Sequence, residues 1–416
     1  MIEAARNWAG NVTYRADRIH YPSTVDEVQH IVRSETNIRG LGSRHSFSRI
    51  ADSAALVDVS QLPSRFEIAA DRSAVTVDAG MTYGRLVGLL APESLAVHNL
   101  ASLPHISIAG AIATGTHGSG LRLGNLATAV SGLELITGTG DLISLTREHP
   151  DFDGAVVSLG ALGVLVAVTL DVEPSFQVEQ RVYDDVRLDD LARNARTMFG
   201  AAYSVSAFTD WTDNAQQLWV KHRVGAQRID ISSEFGITAA VDNRHPIRGL
   251  SADACTPQLG VTGSWADRLP HFLLDFTPSV GEEIQSEFFV DIADAAAAVA
   301  AVRSVQPDIE SALVVSELRT IAADHLWLSP HNGRDTLALH FTWVLDQELA
   351  ERAARIVTEA LIGLDPRPHW GKVFDPTLFD ATGYPHLAEF LDLADRLDPE
   401  RRFRNTWFDE VLIRSR

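Results

Sequence analysis

The sequence predicts an α+β protein of two domains, and three observations carry that expectation. The chain has 416 residues, more than one hydrophobic core usually organises. Through the first 175 residues, strand-like and helical runs mix without the steady βαβα alternation of a doubly wound parallel sheet. Beyond that point glycine becomes scarcer and charged and aromatic residues increase. A helix–strand–strand–helix order there suits an antiparallel sheet flanked by helices. The divisions read from these changes are 1–175, 176–370 and a C-terminal segment, 371–416, expected to pack back on the first domain.

The elements follow in chain order. DEVQHIVRSE (26–35) has helical spacing, and NIRGLGS runs as a strand into a turn. AALVDVS and SAVTVDAG alternate with period two, as half-buried strands do. YGRLVGLL is helical, and GLELITGTGDLISL reads as two strands round a Gly-rich hairpin turn. The apolar run LGALGVLVAVTL (159–170) is too short to cross a bilayer and reads as a buried strand. EPSFQVEQRVYDDV marks the passage into the second domain. There, VDIADAAAAVAAVRSV (290–305) and QELAERAARIVTEAL (347–361) are predicted helices, both Ala-rich with charges on one face. SALVVSELRTI and DTLALHFTWVL are the strands between them, and LDPERRFRNTWFDEVL closes the chain with aromatic residues to bury.

Composition excludes several classes. Lys and Arg number 35 against 55 Asp and Glu, a formal net charge of −20. Binding to a phosphate backbone or to anionic lipid needs basic surface, so neither nucleic acid nor membrane is an expected partner. The single cysteine, Cys255, excludes an intrachain disulfide and a multi-cysteine metal or iron–sulfur centre. No H-x-x-x-H or H-E-x-x-H spacing occurs, and no metal is expected. MIEAARNWAG lacks the basic and apolar regions of a secretory signal, so a cytoplasmic location is the default. Oligomeric state leaves no signal; a monomer is the default expectation.

Two glycine-rich stretches stand out. In RGLGSRHSFSR (39–49), Gly40, Leu41, Gly42 and Ser43 bend the chain and present Arg44, His45 and Ser46. In SIAGAIATGTHGSG (107–120), Gly110, Gly115, Gly118 and Gly120 alternate with small residues. Such runs let backbone N–H groups converge on an anion, and two of them suit a diphosphate. Neither is the Rossmann G-x-G-x-x-G nor a P-loop, and no G-x-S-x-G nucleophile elbow exists. The remaining use for an imidazole displayed beside a diphosphate cradle is a bond to the cofactor itself.

In the second half, Glu317 and Arg319 stand two apart on one predicted strand, and His340 and Thr342 two apart on the next. Each pair therefore shares a strand face. Leu339, Phe341 and Trp343 interleave with them, which favours a lined pocket over bulk surface. Such a wall offers fixed donors and acceptors without a cluster of positive charge, and it suits a neutral polyol.

These residues, with NWAGN, LGSRHSFS, NLASLPHISIAGAIATGTHGSG, SLGALGV, AAYSVSAFTDW, IQSEFF, HFTWV and RPHWGKVF in that order, resemble the vanillyl-alcohol-oxidase (p-cresol methylhydroxylase-type) superfamily of flavoproteins. The likeness is strongest to its sugar-alcohol-oxidising branch and spans essentially the whole chain. It implies a first domain that binds FAD, a cap domain over the substrate, and FAD joined through His45 to the 8α-methyl of the flavin. It also implies FAD contacts from Ser102, Ser107, Gly110, Thr114, Gly115, Thr116, His117 and the Val164 backbone. Arg44 departs from the family pattern, where a small residue is expected; it could pair with phosphate or with an acidic neighbour.

The resemblance further implies that Ser102, Gln285, Glu317, Arg319, His340, Thr342 and Lys372 bind or act on substrate. Hydride would pass from the terminal carbinol of a xylitol- or sorbitol-like alditol to FAD, giving the aldose, with O2 reduced to hydrogen peroxide. His340 is the preferred proton acceptor because its ordinary pKa lies near neutrality, and Glu317 is the alternative. Lys372 would stabilise negative charge on the reduced ring. Ala101, small and beside Ser102, would leave O2 a path. Three alternatives stay open at this point: an aldonolactone (gulono- or arabinono-lactone) oxidase, a dehydrogenase with another acceptor, and a flavin-binding protein with an inactive site.

Overall fold

The computed structural model describes residues 5–212, 216–273 and 282–414. Near the N-terminus, strands Arg18–His20, Ile38–Gly40 and Ala55–Val57 form a small parallel sheet with the last in the centre. The helix Val25–Ser34 crosses between the first two. The Thr24 side chain caps it by accepting from the Glu27 N–H, with Asp26 and Glu27 in its first turn and Arg33 in its last. A five-stranded antiparallel sheet follows, ordered Phe66–Ile68, Ala74–Asp78, Val164–Asp171, Val130–Ile136, Leu142–Thr146. The predicted hairpin is its edge pair, and the apolar run at 159–170 supplies its central strand. One core unites this region with C-terminal residues: Trp370, Phe403, Trp407 and Phe408 belong to the same buried cluster as Val75, Leu133 and Val168.

The second half is built on a nine-stranded antiparallel sheet. At its centre run Ser204–Thr209, Leu313–Ile321, Thr336–Val344 and Glu283–Asp291 in that spatial order. Period-two alternation sends Leu318, Leu339, Phe341, Trp343 and Phe288 to one face. There they pack with Ala298, Val302, Ala354 and Val357 of the helices Ala295–Ser304 and Gln347–Leu361, forming a second core. The opposite face carries the polar residues and turns toward the first domain's loops.

Two expected elements differ in extent. The helix expected over 290–305 begins at Ala295; Val290 and Asp291 finish a strand, and Asp291 caps a 3₁₀ turn at Ile292–Asp294 that starts the helix late. The stretch SIAGAIATGTHGSG is not loop throughout. Ile108–Ala113 is a short helix, because Ile108, Ala111 and Ile112 have a core to bury into.

Candidate active site and cofactor cleft

A single cleft of about 410 Å³ lies between the glycine-rich loops and the polar face of the large sheet. From the first loop, Gly40, Leu41, Gly42, Ser43, Arg44, His45 and Ser46 line it. Ala101, Ser102, Ser107, Gly110, Thr114, Thr116 and His117 continue that wall. Gln285, Glu317, Arg319, His340, Thr342 and Lys372 form the facing one. Gly115 and Val164 are not on either wall. Gly115 holds a left-handed turn with φ of 65° beside Pro330, and Val164 is a buried strand residue paired with Ile136.

The two glycine loops are lashed together by reciprocal bonds. Ser43 N–H donates to Ser107 Oγ at 3.2 Å, and Ser107 N–H donates to Ser43 Oγ at 2.9 Å. A side chain at position 42 would strike Ser107 Oγ, so glycine is required for this approach. Arg39, buried behind the loop, donates to the carbonyls of Phe403 and Ile50, each at 2.6 Å, and also to that of Leu159. It thereby ties the strand before the loop to the C-terminal segment and to the SLGALGV turn. Arg44 adopts φ of 64° and aims outward, its Nη2 4.0 Å from Asp58 Oδ2 and 3.4 Å from Tyr21 Oη.

His45 stacks on Trp8 with ring centroids 5.4 Å apart. Burial, helped by the charge of His105, pulls its pKa down to about 4, so the ring is neutral. Its Nδ1 is buried without a hydrogen-bond partner. An orphaned nitrogen of a neutral imidazole at a cleft wall fits a ring that is to be joined to a cofactor. A Cβ added to Gly40 would meet nothing within 4 Å, so the cradle around that loop has room to fill. The residues present therefore fit FAD.

On the facing wall, strand register sets the chemistry. His340 pairs with Glu317 on one side and with Glu287 on the other, and Thr342 pairs with Gln285. Glu287 is the hub, though sequence reasoning did not single it out. It accepts from Arg319 Nη2 and from Lys372 Nζ, each at 2.6 Å. His117 Nε2 lies 3.3 Å away, off the line of a hydrogen bond, its Nδ1–H being given to the Gly118 carbonyl at 2.8 Å. Burial alone would raise the Glu287 pKa, but Arg319 and Lys372 overrule it and hold the carboxyl well below its usual range. Glu317 behaves alike: burial is outweighed by Arg319 and by the bond from His271, 2.9 Å away. Arg319 Nε, 3.6 Å from Glu317 Oε2, is buried without a hydrogen bond and is free to meet a substrate oxygen.

Lys372 also donates to His340 Nδ1 at 2.7 Å. Burial and then the Lys372 charge pull the His340 pKa down to about 4, and burial lowers that of Lys372. His340 Nε2 lies 3.3 Å from Thr342 Oγ1, and Gln285 donates to Glu283 Oε1 at 2.6 Å. Glu283, His271 and His369 also line the cleft and escaped the sequence reading. For Glu283 and Glu287 a signal existed: E-x-Q-x-E from 283 alternates with Ile284 and Phe288. For His271, in a coil, there was none. His117, Glu287 and His369 bring ligand atoms within 4.8 Å of one another. Two buried cations already neutralise that carboxylate, so a divalent ion would sit against them.

A cleft walled by two glycine-rich loops, a neutral imidazole on that wall and a charged polar wall opposite suit an FAD-dependent oxidoreductase of the two-domain type. Comparison with known proteins agrees. Residues 16–146 match the FAD binding domain family, and residues 282–411 match the D-arabinono-1,4-lactone oxidase family. Alditol oxidase from Streptomyces sp. (strain IKD472 / FERM P-14339) is 43% identical over 99% of this chain and 100% of that one. The L-gulono-1,4-lactone dehydrogenase of Mycobacterium tuberculosis is 28% identical over 98% of each. Among solved structures, cholesterol oxidase from B. sterolicum superposes with a TM-score of 0.76, covering 98% of this chain and 96% of that one. At 16% identity that likeness speaks for the fold alone. The chain belongs to the alditol oxidase family. No helix among the described residues is long and apolar enough to cross a membrane.

Proposed function

We propose that the chain oxidises the terminal carbinol of a xylitol- or sorbitol-like alditol to the aldose, with FAD joined covalently to His45. The observation that carries this reading is that one continuous cleft joins the orphaned His45 Nδ1 to a wall of neutral and internally balanced polar groups. The likeness to an enzyme named alditol oxidase supports it. FAD, when bound, supplies hydride acceptance from the carbinol carbon and returns the electron pair to O2, releasing hydrogen peroxide. Ser107, Gly110, Thr114, Thr116 and His117 line the cleft where it would be held, and Ala101 keeps the wall beside Ser102 small for O2.

The chain's own residues orient the substrate and move a proton. Arg319 Nε, Glu317, Gln285, Thr342 and Ser102 bind hydroxyls, and the buried face excludes water. His340 and Lys372 act as one base. With Lys372 as a neutral amine, His340 carries its proton on Nδ1 and offers the Nε2 lone pair to the carbinol hydroxyl. As Nε2 takes that proton, the Nδ1 proton passes across 2.7 Å to Lys372, which ends as an ammonium on Glu287. Glu317, ionised and held by His271 and Arg319, is a poor base and a good hydroxyl acceptor.

Anaerobic mixing tests the substrate class: xylitol should bleach the bound flavin, and gulono-1,4-lactone should do so far less. The reverse order would make the chain a lactone oxidase, and bleaching by neither would leave a flavin-binding protein. The tether is tested by acid precipitation. Wild type should give a yellow pellet fluorescent on a denaturing gel, and His45→Ala a colourless one; a yellow His45→Ala pellet would place the attachment elsewhere.

A further inference from the structure

Behind the substrate wall lies a buried ammonium that the mechanism above does not use. Lys221, on the strand Gln216–Arg223, is 1% exposed and stands between Gln180 and Ser204 of the neighbouring strands. Its three acceptors are the carbonyls of Leu269 and Pro270 and, at 3.3 Å, His271 Nδ1. An ammonium has no lone pair, so Nδ1 must accept and the single proton of a neutral His271 ring must sit on Nε2. That nitrogen is the one 2.9 Å from Glu317 Oε1. The ring is packed in place: Phe208 and Trp219 meet it edge to face at 5.2 and 5.4 Å, and Thr256 N–H donates to the backbone carbonyl of His271 at 2.9 Å.

We propose that Lys221 and His271 are a positioning pair for Glu317. The ammonium fixes the imidazole tautomer, and His271 presents Nε2–H to the carboxylate. Glu317 is thereby kept ionised and aimed as an acceptor for substrate hydroxyls, not as the proton-abstracting base. The kinetic part of this inference rests on the polyol reading of the cleft; the tautomer does not. Besides His271, the ionisable groups that bear on Lys221 are Glu317, Arg319 and the Cys255 thiol, which burial keeps protonated. Burial pulls Lys221 down to about 7 against the pull of Glu317, so the pair is best read at pH 6, where the ammonium prevails.

Two measurements on the flavin-loaded full chain test it. Side-chain 15N NMR at pH 6, with His271 assigned by its loss in His271→Gln, should find the Nε2–H tautomer. Lys221→Met should convert it to a mixture or to imidazolium. In steady-state kinetics with xylitol, Lys221→Met should lower kcat/KM by about 30-fold, mostly through KM, while Lys221→Arg stays within about threefold. His271→Gln offers an amide N–H that has no tautomer, so adding Lys221→Met to it should cost less than about threefold. His271→Phe, which has no donor, should fall as far as Lys221→Met. An Nδ1–H tautomer in wild type overturns the proposal, as does an equal Lys221→Met penalty with and without His271→Gln. If Lys221→Met does not fold, the NMR result and the comparison of His271→Phe with His271→Gln decide, and equal kcat/KM for those two overturns it. Should xylitol fail to bleach the wild-type flavin, the polyol reading fails while the tautomer still decides the pair.

Discussion

At the scale of single residues, Lys372 carries three duties at one atom. It neutralises Glu287, closes a bond to His340 Nδ1 and, in the relay proposed above, receives the proton. The base-competent state of the pair has one proton fewer than the resting ammonium, so kcat/KM should rise with pH. Burial lowers Lys372 from its ordinary value, so the rise falls below the ordinary lysine range. Lys372→Met should lower kcat/KM by about 100-fold or more, the usual scale for losing an acid–base group. Its remaining pH limb should also lie at lower pH, because His340, near 4 in wild type, then titrates without the amine. Stopped-flow flavin reduction across pH checks both, and an unmoved limb would separate Lys372 from the proton path. Glu287 shows why part of this site was hard to read from sequence. A buried carboxylate on a strand is unremarkable until its two cations arrive, one from Arg319 and one from a loop 85 residues away.

At the scale of elements, the strands that display the site were legible and the contacts between them were not. The runs expected at SALVVSELRTI and DTLALHFTWVL form strands Leu313–Ile321 and Thr336–Val344, and QELAERAARIVTEAL is a helix over its full length. Period two told which residues share a face. It could not tell that Glu283–Asp291 lies next to Thr336–Val344, because register between distant strands is settled by packing. Nor could it bring His271, in a coil, to Glu317. The glycine loops were legible as loops only in part, since burial of Ile108 and Ile112 winds one stretch into a helix. The same alternation predicts a cost. Phe341 is fully buried behind His340 and Thr342, stacked on Trp343 at 5.0 Å and on Trp211 at 5.6 Å. Phe341→Ala should destabilise the fold by about 3 to 5 kcal/mol. Because the strand that loses its backing also carries His340, KM for the polyol should rise as well. Denaturant melts and steady-state kinetics on one preparation check the pair of effects, and a lost stability with an unchanged KM would show that the display face is braced from elsewhere.

At the scale of the whole molecule, the cleft gathers buried imidazoles from both halves of the chain, and this gives stability a definite pH dependence. His271 and His340 are each pulled to about 4, first by burial and then by the charge of Lys221 or Lys372. His117, His331 and His369 are lowered too, with burial again the first cause. An unfolded histidine takes up its proton near pH 6.5, while these take theirs only at lower pH when folded. Between about pH 6.5 and about 4 the unfolded chain therefore binds more protons, and folding stability falls as pH is lowered. His271 and His340 each contribute a loss of about 1 kcal/mol at pH 5.5, and His45, also near 4, acts in the same sense. Asp324, raised to about 6 by burial, acts in the opposite sense between its ordinary value and 6, as do Glu283 and Asp398, which burial also raises; these carboxyls are fewer than the lowered imidazoles. Glu287 and Glu317 act in the same sense but at lower pH; their folded pKa values are depressed, so the stability they add begins to be lost only as pH nears their ordinary value of 4.5. Denaturant midpoints at pH 7, 5.5 and 4.5 should step downward while the slope of the transition stays constant. His271→Gln, which removes one titrating imidazole, should flatten that descent by its share. Midpoints that hold level from pH 7 to 4.5 would mean that the imidazoles meet water in the folded state, and the dry, neutral cleft on which the proton relay depends would not exist.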